Sequence, residues 1–183
     1  MPSSTALRAR CSLDLTANLG LALFSPMFAD PVRPANTTRF IFLDAHATEF
    51  FREWDKVAND TVALLRAEAG REPYERLLSD LVGGLSTRSG EFPLRWAAHY
   101  VQIHTTGVKL IHHPVVGDLE LSFDSFQLAT DPSQSLLTYT AEPGSPSQDA
   151  LNLLANCVAT PDGFDQPAST DASKQAESFQ TAD

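Results

Sequence analysis

Leu119, Leu121 and Phe123 alternate with Glu120, Ser122 and Asp124, and this period of two constrains the fold more than any other feature. A strand written this way turns one apolar row toward a core and a polar row toward water. Its neighbours in sequence also read as strands: Val101–Thr105, Val108–His112 and Leu136–Ala141. Thr106-Gly107, the run His113-Pro114-Val115-Val116-Gly117-Asp118, and Asp131-Pro132-Ser133 separate them with turn-forming residues. Such short links suit antiparallel neighbours, because a parallel crossover needs about a dozen residues. An antiparallel sheet with one apolar face needs a cover, and the flanking segments supply helices.

Upstream, Phe50, Trp54, Val57, Ala58, Thr61, Leu64 and Leu65 recur at helical spacing. They predict a helix from Ala45 to Ala69, with Asp44 as N-cap, Gly70 just past its end and room for a break near Trp54. Phe50, Phe51 and Trp54 read as core. A second helix follows Pro73, with Leu77, Leu78, Leu81 and Val82 inward and an end at Gly83-Gly84. A third runs from a Ser89 cap to about His99, with Pro93 in its first turn. Ala17 to Met27 reads as a short helix stopped by Pro26, and Arg39 to Leu43 as strand or helix lead-in. Downstream, Ser145, Pro146 and Gln148 stand as N-cap, N1 and N3 of a final helix carrying Leu151, Leu153 and Leu154.

The expected organisation is an unpatterned segment 1–13, one α+β domain over 14–156, and a polar tail over 157–183 too poor in large apolar groups to fold. A chain of 183 residues is long enough for one real core. Its net charge of -10 argues against contact with a phosphate backbone. Cys11 and Cys157 have no metal or redox spacing and fit reduced thiols in a cytoplasmic protein. No segment approaches the roughly 20 apolar residues of a membrane span.

Catalytic and metal signatures are weak. His112 and His113 point to opposite faces of one strand, and no His-Glu-x-x-His or Cys/His pair is present. Gly144-Ser145-Pro146-Ser147 lacks the second glycine of a nucleophile elbow. No phosphate-cradling glycine loop occurs. The chain is therefore expected to be no enzyme, and to hold neither cofactor nor metal.

Seven short pieces then occur in order: Asp14-Leu15-Thr16-Ala17-Asn18, Phe42-Leu43-Asp44, Trp54-Asp55-Lys56-Val57-Ala58, the run from Leu64 to Arg71, Trp96-Ala97-Ala98-His99, His113-Pro114-Val115-Val116-Gly117, and the run from Tyr139 to Ser147. The series, spanning Asp14 to Ala155, resembles the MmyB-like ligand-binding domain of regulators that carry an XRE-type helix-turn-helix. The resemblance implies a PAS-like fold, an antiparallel sheet with helices over one face. It also implies an apolar pocket for a fatty acid or similar lipid, and a role in transcription regulation. Family members place a DNA-binding domain before the first motif, whereas thirteen residues precede Asp14 here. The expectation is a chain without its own helix-turn-helix, either as a single-domain relative or because the start lies inside a longer gene. It would work with a DNA-binding partner or a second copy.

The ligand is expected between the Trp96/His99 helix and the apolar sheet face. Arg95 and His99 would meet a carboxylate. Leu119, Leu121 and Phe123 would line the chain, with Trp96 beside its first methylenes, and Tyr139 would offer its hydroxyl. The competing reading keeps Trp96 in the core and His99 on a backbone carbonyl. A small enzyme acting on an apolar acid, with His99 as base, is the alternative function.

Overall fold

The computed structural model describes residues 18–29, 35–98, 104–130 and 134–159. His99, the strand candidate's residues 101–103, and the terminal segments 1–17 and 160–183 lie outside the described residues.

The architecture is α+β, and among the described residues it has a three-stranded antiparallel sheet and its helical cover. Strands β1 (Thr106–His113), β2 (Gly117–Gln127) and β3 (Ser135–Thr140) lie in the order β1-β2-β3. Gly117 closes the first hairpin with φ 78°, a left-handed conformation that costs glycine little. The alternation in β2 sets the register. Leu119, Leu121 and Phe123 are buried, while Glu120, Ser122 and Asp124 face water.

In β1 the inward row is Gly107, Lys109, Ile111 and His113, opposite Phe123, Leu121, Leu119 and Gly117. Val108 consequently faces outward and is exposed. Gly107 has a steric reason to be small, since a Cβ there would sit 3.1 Å from Phe123 Cε1.

The ambiguous stretch before Asp44 is a helix, α2 (Thr37–Leu43), after the short α1 (Asn18–Leu23) and a 3-10 turn over Ser25–Phe28 that accommodates Pro26. Asn36 caps α2, its Oδ1 accepting from Arg39 N–H at 3.0 Å. Three phenylalanines explain why β-favouring residues stay helical here: tertiary burial of Phe40, and of Phe42 against Phe92 at 5.1 Å, outweighs local propensity. Phe40 in turn packs edge-on against Phe50 at 5.7 Å.

The long amphipathic helix is interrupted where the sequence allowed. One turn, α3 (Ala47–Phe50), is followed by extended backbone at Phe51, and α4 (Trp54–Arg71) begins three residues later. The interruption serves the sheet. Phe51 bridges Ile111, and Arg52 N–H donates to Leu110 O at 3.0 Å, so this link covers part of the outer edge of β1. Asp44 Oδ1 accepts from His46 N–H, a local turn ahead of α3.

Gly70 lies inside α4, and α5 (Arg76–Arg88) runs through Gly83 and Gly84 instead of stopping there. Leu78 and Leu85, seven residues apart on one buried face, carry the helix past the glycines. Ser89 Oγ accepts from Phe92 N–H and caps α6 (Glu91–Ala97). The last helix, α7 (Pro146–Ala159), starts as expected, with Ser145 Oγ accepting from Gln148 N–H at 3.2 Å. The Gln148 side chain donates onward to Asn152, so only half of the capping box forms. Ser147 Oγ takes Glu120 N–H and thereby ties α7 to β2.

Candidate functional site

Arg95 and Trp96 project from α6 toward α4. Arg95 donates to Asn59 Oδ1 at 2.7 Å and pairs with Asp55 at 2.5 Å and Glu91 at 3.2 Å. Its guanidinium also lies 4.8 Å from the Trp54 ring centroid. The charge is thus already matched by two carboxylates. Trp96 stacks on Phe92 at 5.5 Å, and the Arg66 guanidinium lies over its ring at 5.2 Å. It borders a hollow of about 170 Å³ with Ala69, Pro73, Leu78 and Val82.

This is not the sheet side of α4. Asp55 and Asn59 are rotated by about 100° from Lys56 and Asp60, which face β1. Leu121 is fully enclosed in the core. Phe123 and Tyr139 do come together, as register partners with ring centroids 6.4 Å apart. Tyr139 also meets Phe24 edge-on at 5.3 Å. Burial raises the Tyr139 phenol above its ordinary range and keeps it protonated.

A groove of about 100 Å³ opens between the first half of α4 and the first half of β1. Val57, Val108, Leu110 and Phe123 form its apolar part, and Gly107 leaves it room. Its charged groups are Glu53, Lys56, Asp60, His104 and Lys109. Lys56 pairs with Glu53 at 3.3 Å, and His104 faces Asp60 at 4.0 Å.

Lys109 stands apart. It is half-buried on the inward face of β1, its Nζ lies 4.9 Å from the Phe123 ring centroid, and among the described residues no carboxylate lies within ion-pair distance of it. Burial pushes its pKa down, partly opposed by the field of Asp60. A half-buried ammonium with a ring face and the field of Asp60, but no ion pair among the described residues, retains much of its desolvation cost. Lys109 is not among the site residues expected from the sequence. Its signal was the lysine that replaces an apolar group two residues before Ile111 in the inward row.

Two further polar sites flank the first hairpin. His113 is buried; its Nε2 lies 3.0 Å from Ala22 O and its Nδ1 accepts from Val115 N–H at 3.2 Å. That pattern fits a neutral ring with the proton on Nε2. Burial lowers its pKa. On the exposed face, Asp118 accepts from Arg52 at 2.6 Å and contacts His112 Nδ1 at 2.6 Å. These bonds hold the Asp118 carboxyl below its usual value.

Among the described residues no group of three His, Cys, Asp or Glu side chains could hold a metal ion. None of their helices is long and apolar enough to cross a membrane. A family model described as the MmyB-like transcription regulator ligand binding domain matches residues 6–154. No curated protein matches the chain.

Proposed function

Because the chain belongs to the MmyB-like transcription regulator ligand-binding domain family, we propose that it senses a fatty acid or similar anionic amphiphile in the α4–β1 groove. The observation that carries this reading is Lys109, a half-buried cation with no carboxylate in reach among the described residues, next to an aromatic wall. A ligand carboxylate would supply the missing counter-charge. The alkyl chain would run along Phe123, with Val57 beside it and Tyr139 behind. Arg95 and Trp96 then belong to the scaffold that holds α4 in place.

The groove is smaller than the several hundred Å³ of ordinary ligand sites. An amphiphile would therefore bind by spreading α4 from the edge of β1, favouring an opened state by its differential affinity for it. The Phe51–Ile111 bridge and the Arg52–Asp118 pair lie at one end of that seam and would act as its hinge. The displacement of α4 would pass to α6 through Arg95 and onward to a DNA-binding domain or partner. The reading is that of a non-catalytic regulatory module, soluble in the cytoplasm.

Calorimetry with dodecanoate and dodecanol separates the terms. A charge-assisted hydrogen bond contributes about 1.5–3 kcal/mol. Lys109→Met should thus weaken dodecanoate by roughly ten- to a hundred-fold and dodecanol far less. It should also raise the thermal midpoint of the ligand-free protein by about 2–4 °C, as the uncompensated charge is removed. Equal losses for acid and alcohol, or a lower midpoint, would refute the head-group role.

A further inference from the structure

We propose that Lys109 is a covalent carbonyl-binding site, at which a short aliphatic aldehyde forms an imine; the inference rests on the reading of the α4–β1 groove as the ligand site. Lys56 and Lys109 both line that groove, and they differ in what holds them. The Lys56 side chain is 53 % exposed and pairs with Glu53 at 3.3 Å. Lys109 is half-buried, lies against the Phe123 ring, and has no ion pair among the described residues. A carbonyl group entering among Val57, Leu110 and Phe123 would lie beside this amine.

An amine attacks only as the free base, and a lysine in water is almost wholly protonated near neutral pH. Burial lowers the cost of losing that proton at Lys109; the charge of Lys56 adds to the effect and the field of Asp60 opposes it. The groove also carries a proton relay, since Asp60 and His104 face each other at 4.0 Å and His104 is open to water. At about 100 Å³ the groove is well below the several hundred Å³ of ordinary ligand sites, so a molecule that enters without moving α4 is short.

The lone pair of Lys109 Nζ attacks the carbonyl carbon. The C–N bond forms, the π pair moves to oxygen, and a proton passes from nitrogen to that oxygen, giving a carbinolamine. The C–O bond then breaks. Its oxygen takes a proton from the His104 imidazolium and leaves as water, while the nitrogen lone pair closes the C=N bond. The products are an iminium ion, water and a neutral imidazole, so atoms and charge balance. The iminium keeps a cation beside the Phe123 ring, where the ammonium sits in the free protein. Hydrolysis reverses each step, which suits a sensor; an acyl donor would leave a permanent amide.

Reductive trapping on the full chain tests the site. With butanal and sodium cyanoborohydride at pH 7.5, peptide mapping should find the butyl group on Lys109 first among the lysines. Lys56 and Lys174 serve as internal references. Lys109 should react roughly tenfold or more faster than either, because a bound aldehyde is presented to its amine. Without the reductant, removal of butanal should return the unmodified protein. Lys109→Arg keeps a cation but forms no imine, and should lose the fast phase. Dodecanoate keeps the two readings of the groove apart. Fast labelling of Lys109 in a protein that binds no dodecanoate upholds the imine and refutes the carboxylate reading; dodecanoate binding without fast labelling of Lys109 overturns the imine alone. Equal labelling of Lys56, Lys109 and Lys174, or a fast phase that survives in Lys109→Arg, would also overturn the proposal.

Discussion

Two cations on this domain look alike in sequence and differ in circumstance. Arg95 has Asp55, Glu91 and Asn59 around it, so its charge is spent on holding α6 to α4. Lys109 has a ring face and a groove. The difference is one of partners, and it is the ground for proposing Lys109, in place of the residue beside Trp96, for the head-group role. His113 shows the same dependence on surroundings. Burial disfavours its charged form, so the unfolded chain takes up the proton first as pH falls. Its contribution to stability is complete above the free imidazole value of about 6.5 and declines below it, toward the lower folded pKa. Thermal midpoints at pH 7.5 and 5.5 should therefore fall more for the wild type than for His113→Gln, whose amide can still donate to Ala22 O. Identical drops in the two proteins would remove His113 from the acid response.

At the level of elements, the seam between α4 and β1 depends on two local devices, the extended link at Phe51 and the missing side chain at Gly107. A Cβ at Gly107 already presses on Phe123, so larger groups must push the ring into the groove. Gly107→Val should lower affinity for dodecanoate and dodecanol alike, by tenfold or more, while leaving the secondary structure intact by circular dichroism. Unchanged affinities would place the alkyl chain elsewhere. Much of this layer was legible in the sequence. The alternation of Leu119, Leu121 and Phe123 specified the sheet face, Ser145 marked the start of α7, and the apolar stripe from Phe50 to Leu65 located the long helix with its break. The orientation of β1 was not legible. Val108, Leu110 and His112 alternate as plausibly as Lys109, Ile111 and His113, and only the register against β2 decides which row is inward. That choice hid Lys109. The end of α5 was misread for another reason: Gly83 and Gly84 favour a stop locally, but burial of Leu85 beyond them continues the helix. The packing of α6 on α4 and α5 is a tertiary fact with no local signature, and it separates Trp96 from the sheet.

For the whole molecule, the two sides of α4 face different surroundings. One side meets α6 and the Trp96 hollow, and the other meets β1 and the groove. The proposed binding at the groove would therefore be local to the α4–β1 seam before it spreads. A titration of isotope-labelled protein with dodecanoate, followed by amide and indole chemical shifts, maps this directly. The earliest and largest changes should fall on Gly107, Lys109 and Phe123 and on the α4 residues Val57 and Asp60, with the Trp96 indole N–H moving little. The largest changes at Trp96 and its neighbours Leu78 and Val82, with Lys109 unmoved, would contradict the account.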